Sequence, residues 1–248
     1  MRLPVEYAQP LDQPQYIAKA QELVGQLQVL SIEEFADLMK LSRRKAIEVH
    51  ALYSHWSAAY SQQAAAIDTF VGDIYSGLQA QIWDIDDRQY AHQHLFILSG
   101  LYGVLRACDG ILPYRLEMGY RLPSGESLYH FWGDTLANAV SSDVDCIVNV
   151  SSVEYTKALL PYLSVRIVTP KFLTVSPKSG EPTFVTVHTK VARGAFARWM
   201  IKQRVQDTRH LDRFEDLGYR YDVARSTPDQ PVYVCQTFGG LGLSVRLP

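Results

Sequence analysis

The sequence lacks the features that mark secreted, membrane-spanning or cysteine-based metal proteins. Its three cysteines, Cys108, Cys146 and Cys235, are far apart and form no CxxC pair. This spacing excludes a disulfide framework and a cysteine-rich zinc site. No stretch approaches the roughly 18 apolar residues of a membrane span, and the first residues have no apolar core of signal-peptide length. We therefore expect a cytoplasmic protein without a membrane partner.

The sequence also lacks an excess of positive charge. It has 24 basic and 26 acidic residues, a net charge of −2 and a pI near 6.4. That sign does not fit a protein covered by nucleic acid, so any site for a polyanion must be a local patch. With 47% hydrophobic and 20% charged residues among 248, the composition is that of an ordinary globular protein.

Motifs that would identify a cofactor or a metal are missing as well. The sequence contains no Walker loop, no GxGxxG and no GxSxG. The pairs His50/His55 and His92/His94 are five and two residues apart, so neither pair shares one face of a helix, and no HExxH occurs. We expect no bound cofactor and no metal site.

Apolar spacing and cap residues predict a mixture of helices and strands. Helices are predicted over residues 16–27, 32–40, 43–56, 87–98, 128–140 and 152–160, with a last helix beginning at Arg193-Gly194. A strand is predicted over 146–150, and hairpins over 165–175 with 182–190 and over 219–226 with 231–237. The pattern predicts one α+β domain with a mixed central sheet and flanking helices.

Glycines punctuate the stretch that follows residue 98. The segment Gly100-Leu-Tyr-Gly103 predicts a tight turn. Such a turn can present backbone N–H groups to phosphate. It can equally serve only to ease a sharp change of chain direction.

A basic run without any acidic residue extends from His188 to Gln206. Its cations are Lys190, Arg193, Arg198, Lys202 and Arg204. Arg198 and Lys202 are four residues apart and share a helix face. The run predicts either a local positive patch for a polyanion or a solvated helix face.

Four carboxylates lie beside aromatic residues or glycine: Asp73, Glu117, Asp134 and Glu154. Glu117 and Asp134 are the candidates for a general acid and base. The structural alternative is that these carboxylates pair with Arg106 and Arg115 as buried ions.

Six motifs, in this order, resemble those of the YaaA family of bacterial proteins: FVGDIYSGLQA, AHQHLFILSGLYGVLR, PYRLEMG, LYHFWGD, IVNVSSVEY and KVARG. Their order and spacing match from about Leu38 to Tyr233. The chain departs from the family pattern at Phe96, where an arginine is usual, and at Val191, where a second lysine is usual. Both departures remove a positive charge.

The resemblance implies one domain over residues 1–248 with a fold described as cantaloupe-like. It also implies a positively charged cleft, a helix–hairpin–helix-like element, DNA binding and protection against peroxide, including the limiting of free iron. The family's usual N-terminal strand and Ser-Pro-Ala-Lys-Thr segment are expected to be absent from this chain. We expect a monomer.

Carried onto this sequence, the resemblance places the helix–hairpin–helix-like element at a helix ending at Leu98 and the turn that follows. The residues expected to bind DNA or another anion are Gly100, Tyr102, Gly103, Arg106, Arg115, Lys190, Arg193 and Arg198. The residues expected to line the cleft are Asp73, Tyr75, Tyr114, Trp132, Asn149, Glu154 and Tyr155.

Two functional hypotheses follow. The first is a DNA-binding protein of the peroxide stress response that contacts the duplex backbone without sequence specificity. The second is an enzyme or binding protein for a nucleotide or base, with Arg115 as anion clamp and Glu117 or Asp134 as acid and base. The sequence leaves open whether there is catalytic turnover.

Overall fold

The computed structural model of the protein describes residues 1, 10–58, 63–142 and 144–240. Helices and strands both occur along the chain, which confirms the α+β class. The chain divides into two compact units. Unit 1 comprises Met1–Thr69, Leu95–Ser142 and Ser152–Leu163, and unit 2 comprises Phe70–His94, Asp143–Ser151 and Ser164–Pro248. The expectation of one domain stays a prediction, and so does the expected absence of the family's N-terminal strand from this chain.

Unit 1 contains seven of the described helices. They are α1 (Ile17–Gln28), α2 (Ile32–Met39), α3 (Arg43–Ser54), α4 (Ala66–Thr69), α7 (Leu128–Trp132), α8 (Thr135–Ser141) and α9 (Val153–Leu159). The predicted helix over 128–140 is therefore two helices, because Gly133 adopts a positive φ of 51° between them.

The start of α2 follows directly from its sequence. Ser31 Oγ accepts a hydrogen bond from Glu34 N at 3.3 Å, and Glu34 Oε2 accepts one from Ser31 N at 2.9 Å. These two bonds form the reciprocal capping box that the spacing predicts. Ser42 caps α3 by accepting a bond from Lys45 N at 3.4 Å.

The strands of unit 1 form two small sheets. β1 (Ala64–Ala65) pairs with β4 (Gly110–Ile111), and β2 (Phe96–Ser99) pairs antiparallel with β3 (Gly103–Arg106). The prediction of a helix through Leu98, and with it the placement of a helix–hairpin–helix-like element there, is wrong. The helix ends at His94, and Phe96 pairs with Arg106 in a β-hairpin. A short apolar run such as Phe96–Leu98 fits a strand as well as a helix turn, and tertiary pairing decides between them.

Unit 2 contains α5 (Asp73–Leu78), α6 (Ile85–His94), α10 (Thr186–Lys202) and two sheets. β5 (Cys146–Val148) pairs in parallel with β6 (Arg166–Val168). The larger sheet is mixed and has the order β8-β7-β10-β9, formed by β7 (Lys171–Val175), β8 (Pro182–Thr183), β9 (Tyr219–Tyr221) and β10 (Val232–Cys235). Its apolar face packs on α10 through Phe172, Phe196 and Tyr233.

Helix α10 begins seven residues before the predicted start at Arg193, and the β-segment predicted over 182–190 ends at Thr183. Gly194 lies inside the helix because α10 and α5 approach each other closely. A Cβ at Gly194 would lie 1.8 Å from the Ile74 carbonyl oxygen, and one at Gly77 would lie 2.0 Å from the Val191 oxygen. The glycine that suggested a helix start is thus a packing contact.

Within the described part of the chain, no helix combines the length and the apolar character needed to cross a membrane.

Candidate functional site

The structure distributes the predicted site residues between the two units. Unit 1 holds Gly100, Tyr102, Gly103, Arg106, Tyr114, Arg115, Glu117, Trp132, Asp134, Glu154 and Tyr155, whereas unit 2 holds Asp73, Tyr75, Asn149, Lys190, Arg193 and Arg198. We therefore describe each set within its own unit.

The glycine turn at residues 100–103 is buried in unit 1. Trp132 Nε1 donates a hydrogen bond to the Gly100 carbonyl at 3.0 Å, and the Tyr102 N–H donates to Ser99 Oγ at 2.8 Å. Gly103 has a φ of 74°, and a Cβ there would lie 2.7 Å from the Trp132 ring. These contacts favour the structural alternative for the turn over a phosphate contact.

The aromatic side chains around this turn form a hydrogen-bonded interior. Tyr102 OH accepts from Trp56 Nε1 at 2.9 Å and from Leu112 N at 3.1 Å, and burial raises the pKa of Tyr102 to about 12. Tyr114 OH lies 2.6 Å from Ser99 Oγ. Tyr102, Tyr114 and Trp132 are therefore parts of the core of unit 1.

Arg106, at the end of β3, lies with its guanidinium 3.9 Å from the centre of the Phe96 ring. Burial lowers the pKa of Arg106. Phe96, at a position where an arginine is expected in the family, thus supplies a cation–π contact to Arg106.

Arg115 and Glu117 form an ion pair, as the structural alternative predicts, but the pair is not buried. Arg115 Nη2 lies 3.0 Å from Glu117 Oε1, and the two side chains are 41% and 38% exposed. In this segment half-buried residues alternate with the buried Tyr114, Leu116 and Met118, so both charged side chains point to the same side.

Tyrosines surround this Arg115–Glu117 pair. Tyr53 OH donates to the Arg115 carbonyl at 2.6 Å, and Tyr120 OH donates to the Met39 carbonyl at 3.2 Å. Hydrogen bonding to Tyr120, followed by the charge of Glu117, raises the pKa of Arg115. Burial and then the neighbouring Glu117 carboxylate raise the pKa of Tyr120. Sequence inspection missed Tyr53 and Tyr120, although Tyr120 follows directly on the PYRLEMG motif.

Glu154 and Tyr155, in the first turn of α9, extend the same cluster. Glu154 Oε1 accepts a hydrogen bond from Gly119 N at 2.8 Å, and Tyr129 OH donates to the Glu154 carbonyl at 3.0 Å. Burial and then the charges of Glu154 and Glu117 raise the pKa of Tyr155. Asp134, the other acid–base candidate, is exposed and directly precedes α8, where its side chain forms no capping hydrogen bond.

The predicted residues of unit 2 outside α10 belong to local structure. Asp73 is the first residue of α5, and the Tyr75 ring stacks on Phe70 with centroids 5.3 Å apart. Asn149 Oδ1, after β5, accepts from Ser151 N at 3.1 Å and Ser151 Oγ at 2.8 Å.

Three of the five cations in the basic run are neutralised by tertiary contacts. Arg198 donates to Asp216 Oδ2 at 2.5 Å and also to Gln79. Lys202 forms an ion pair with Asp87, and Arg204 Nη1 lies 3.0 Å from Asp87 Oδ1. These partners could not be predicted from the spacing of the charges, because Asp87 and Asp216 lie outside the basic run.

Lys190 and Arg193 remain without an ionic partner in the part of the chain that the structure describes. They are three residues apart on α10 and so share a face. Lys190 is exposed and Arg193 is half-buried, and burial lowers the pKa of Arg193. We call these two residues the α10 cations.

Neither of two surface depressions in unit 2 is lined by the predicted residues. One, of about 460 Å³, lies beside Arg220 and Val234, and the other, of about 360 Å³, lies beside Arg166 and Tyr221. Among the described residues, no three histidine, cysteine or acidic side chains converge to hold a metal ion.

Comparison with known proteins identifies the family. A model of the family described as peroxide stress protein YaaA matches residues 2–225. The chain is 52% identical to a UPF0246 protein of Salinispora tropica over 231 residues, covering 92% of this chain and 88% of that protein. It is 40% identical to a UPF0246 protein of Ralstonia pickettii over 232 residues, covering 89% of each. It is 39% identical to one of Cupriavidus metallidurans over 228 residues, covering 86% of each. The chain therefore belongs to the peroxide stress protein YaaA family.

Proposed function

We propose that this protein acts in the peroxide stress response by binding duplex DNA through the phosphate backbone, and so limits DNA damage driven by peroxide and iron. Membership in the peroxide stress family supports the biological role. The DNA contact is our inference from the charges of unit 2.

The observation that carries the DNA contact is the pair of α10 cations. Lys190 and Arg193 share a helix face and have no ionic partner among the described residues, whereas Arg198, Lys202 and Arg204 have one. A half-buried arginine without a counter-charge is unfavourable by itself, and an incoming phosphate would supply the missing charge. This narrows the binding residues from the whole basic run to two.

A salt titration of duplex binding tests the proposal. Each phosphate contact contributes about 0.9 to the slope of log affinity against log salt. Arg193→Ala is therefore expected to reduce the slope by about 0.9 and to weaken binding equally on unrelated duplex sequences. Lys190→Ala is expected to act in the same direction.

The matched control is Lys178→Ala, which removes one exposed positive charge from the turn after β7 in the same unit. Its salt slope is expected to equal that of the unmodified protein. A slope near zero for the unmodified protein, or equal slopes for Arg193→Ala and Lys178→Ala, would refute the proposal.

A further inference from the structure

We propose that the Arg115–Glu117 pair of unit 1 binds the Watson–Crick edge of an unpaired nucleobase. This site is separate in sequence and in unit from the α10 cations, and it does not rest on the proposed binding of duplex phosphates.

The pair presents a donor and an acceptor side by side. Arg115 Nη2 and Glu117 Oε1 are 3.0 Å apart, and both side chains are more than one third exposed. A guanidinium only donates hydrogen bonds and a carboxylate only accepts them. A ligand that bonds to both must therefore carry an acceptor next to a donor.

The pair is also incompletely satisfied by the protein. Arg115 Nε and Glu117 Oε2 are buried and find no hydrogen-bond partner within the described residues. Such groups cost about 1–3 kcal/mol each, and buried ion pairs that serve only stability are normally saturated with hydrogen bonds. Unsatisfied buried groups of this kind call for an explanation, and a ligand that completes the hydrogen bonding of the pair would supply one.

The neighbouring tyrosines suit an aromatic ligand. Tyr120 lies against both charged side chains, and Tyr120 and Tyr155 are half-buried, so part of each side chain remains accessible. Aromatic side chains stack on any base because every base has a π-face. Tyr53 holds the backbone at Arg115 through its 2.6 Å hydrogen bond, which reduces the cost of ordering the site on binding.

The charges of the pair select the class of ligand. The positive charge of Arg115 and the negative charge of Glu117 cancel, so the pair favours a neutral polar edge over a phosphate. The Watson–Crick edge of a base presents adjacent donor and acceptor atoms, such as N3–H and O4 of thymine. In a duplex this edge is already paired, so the ligand is an unpaired base, either in a single strand or as a free nucleoside.

Calorimetric titration with thymidine and 3-methylthymidine tests this inference on the unmodified protein. The methyl group removes the N3–H donor without adding charge, and a hydrogen bond to a charged acceptor supports about a tenfold difference in affinity. Thymidine is expected to bind about tenfold more tightly. Equal affinities for thymidine and 3-methylthymidine would refute the inference. It would also be refuted if neither thymidine nor a short oligo(dT) bound.

Two further titrations identify the source of the base. Binding of oligo(dT) with weaker binding of thymidine supports an unpaired base in a strand, whereas equal affinities support a free nucleoside. Annealing the oligo(dT) to oligo(dA) is expected to abolish binding at the Arg115–Glu117 pair, because the Watson–Crick edges of the thymines are then paired with adenine.

Glu117→Gln tests the assignment to these residues, with Glu126→Gln as control. Glu126 also lies in unit 1, is 36% exposed and loses the same charge. Thymidine affinity is expected to fall about fivefold in Glu117→Gln, because a neutral acceptor forms weaker hydrogen bonds, and to stay unchanged in Glu126→Gln. Equal effects of the two substitutions would contradict the assignment. Arg193→Ala is expected to leave thymidine binding unchanged, which separates this inference from the proposed binding of duplex DNA.

Discussion

Two aspartates, one in each unit, are almost equally buried, and yet their pKa values are shifted in opposite directions. Asp109 of unit 1 is 3% exposed and Asp87 of unit 2 is 4% exposed. Burial, with a further contribution from the charge of Asp12, raises the pKa of Asp109 to about 6, against the opposing effects of Arg106. Burial also acts to raise the pKa of Asp87, but the hydrogen bonds and charges of Lys202 and Arg204 outweigh it and lower that pKa.

This comparison shows that burial alone does not distinguish a structural ion from a candidate binding residue. The charged partners of the side chain make that distinction. Asp87 forms ion pairs with Lys202, the last residue of α10, and with Arg204, two residues beyond it, so all three groups stabilise unit 2. Arg193 has no such partner among the described residues. It is therefore the residue that a bound phosphate would complete.

The largest expected effect concerns the packing of α10, on which the ion pairs of Asp87 depend. Gly194→Ala places a methyl group 1.8 Å from the Ile74 carbonyl oxygen, so the α5–α10 contact must open. We expect a loss of at least about 3 kcal/mol in the free energy of unfolding. The measurement is chemical denaturation.

The control for this substitution lies in unit 1. A Cβ at Gly25, inside α1, meets no atom within 4 Å. Gly25→Ala is therefore expected to stabilise the protein by about 0.5–1 kcal/mol through helix propensity. Destabilisation by both substitutions to the same degree would contradict the close α5–α10 contact.

The next effect breaks the ionic cluster of unit 2. Asp87→Asn leaves Lys202 and Arg204 without their carboxylate, and we expect a loss of about 2–3 kcal/mol at pH 7 because both cations are partly exposed. The folded-state pKa of Asp87 is lowered. Its stabilisation is therefore present above the unfolded pKa of about 4 and is lost as the pH falls through the folded value. Denaturation of both proteins from pH 7 down to pH 2 should show the two curves converging.

The corresponding substitution in unit 1, Asp109→Asn, is expected to change the free energy of unfolding in the opposite direction. Because the folded pKa of Asp109 is raised, its ionisation lowers stability as the pH rises from about 4 to about 6. Asp109→Asn removes this penalty, and the amide oxygen can still accept from Arg106 N, which lies 2.8 Å from Oδ2. We expect a gain of about 1 kcal/mol at pH 8 and little change below pH 4. A loss of stability at pH 8 would show that the attraction of the Arg106 charge outweighs the effect of burial on the Asp109 carboxylate.

The smallest effect on stability is expected at the residue with the strongest functional prediction. Arg193→Ala removes no ion pair, so the free energy of unfolding should change by no more than about 0.5 kcal/mol. Arg198→Ala, which removes the contacts to Asp216 and Gln79, should cost about 1–2 kcal/mol. A larger loss of stability in Arg193→Ala than in Arg198→Ala would show that Arg193, and not Arg198, is the structural residue of the two.

Much of the fold follows from signals that act within a few residues of the sequence. The capping box at Ser31 and Glu34 and the hairpin of β9 and β10 both form as predicted. The errors fall at Phe96–Leu98, where a helix was expected, and at Thr186, which begins α10 seven residues before the predicted start. In both places a tertiary contact decides. Phe96 pairs with Arg106 across a hairpin, and α10 meets α5, which lies far earlier in the sequence, through Gly194.

The order of the family motifs, the α+β class and the Arg115/Glu117 alternation were determined by the sequence alone, because each depends on residue type and spacing along the chain. Only the tertiary structure decided which charges are neutralised. Asp87 pairs with Lys202 and Arg204 across more than one hundred residues. Local spacing carries no information about such contacts, because Coulomb attraction depends on distance in space. For that reason a basic run that looked uniform in sequence contains paired ions at one end and, at the other, two cations without an ionic partner among the described residues.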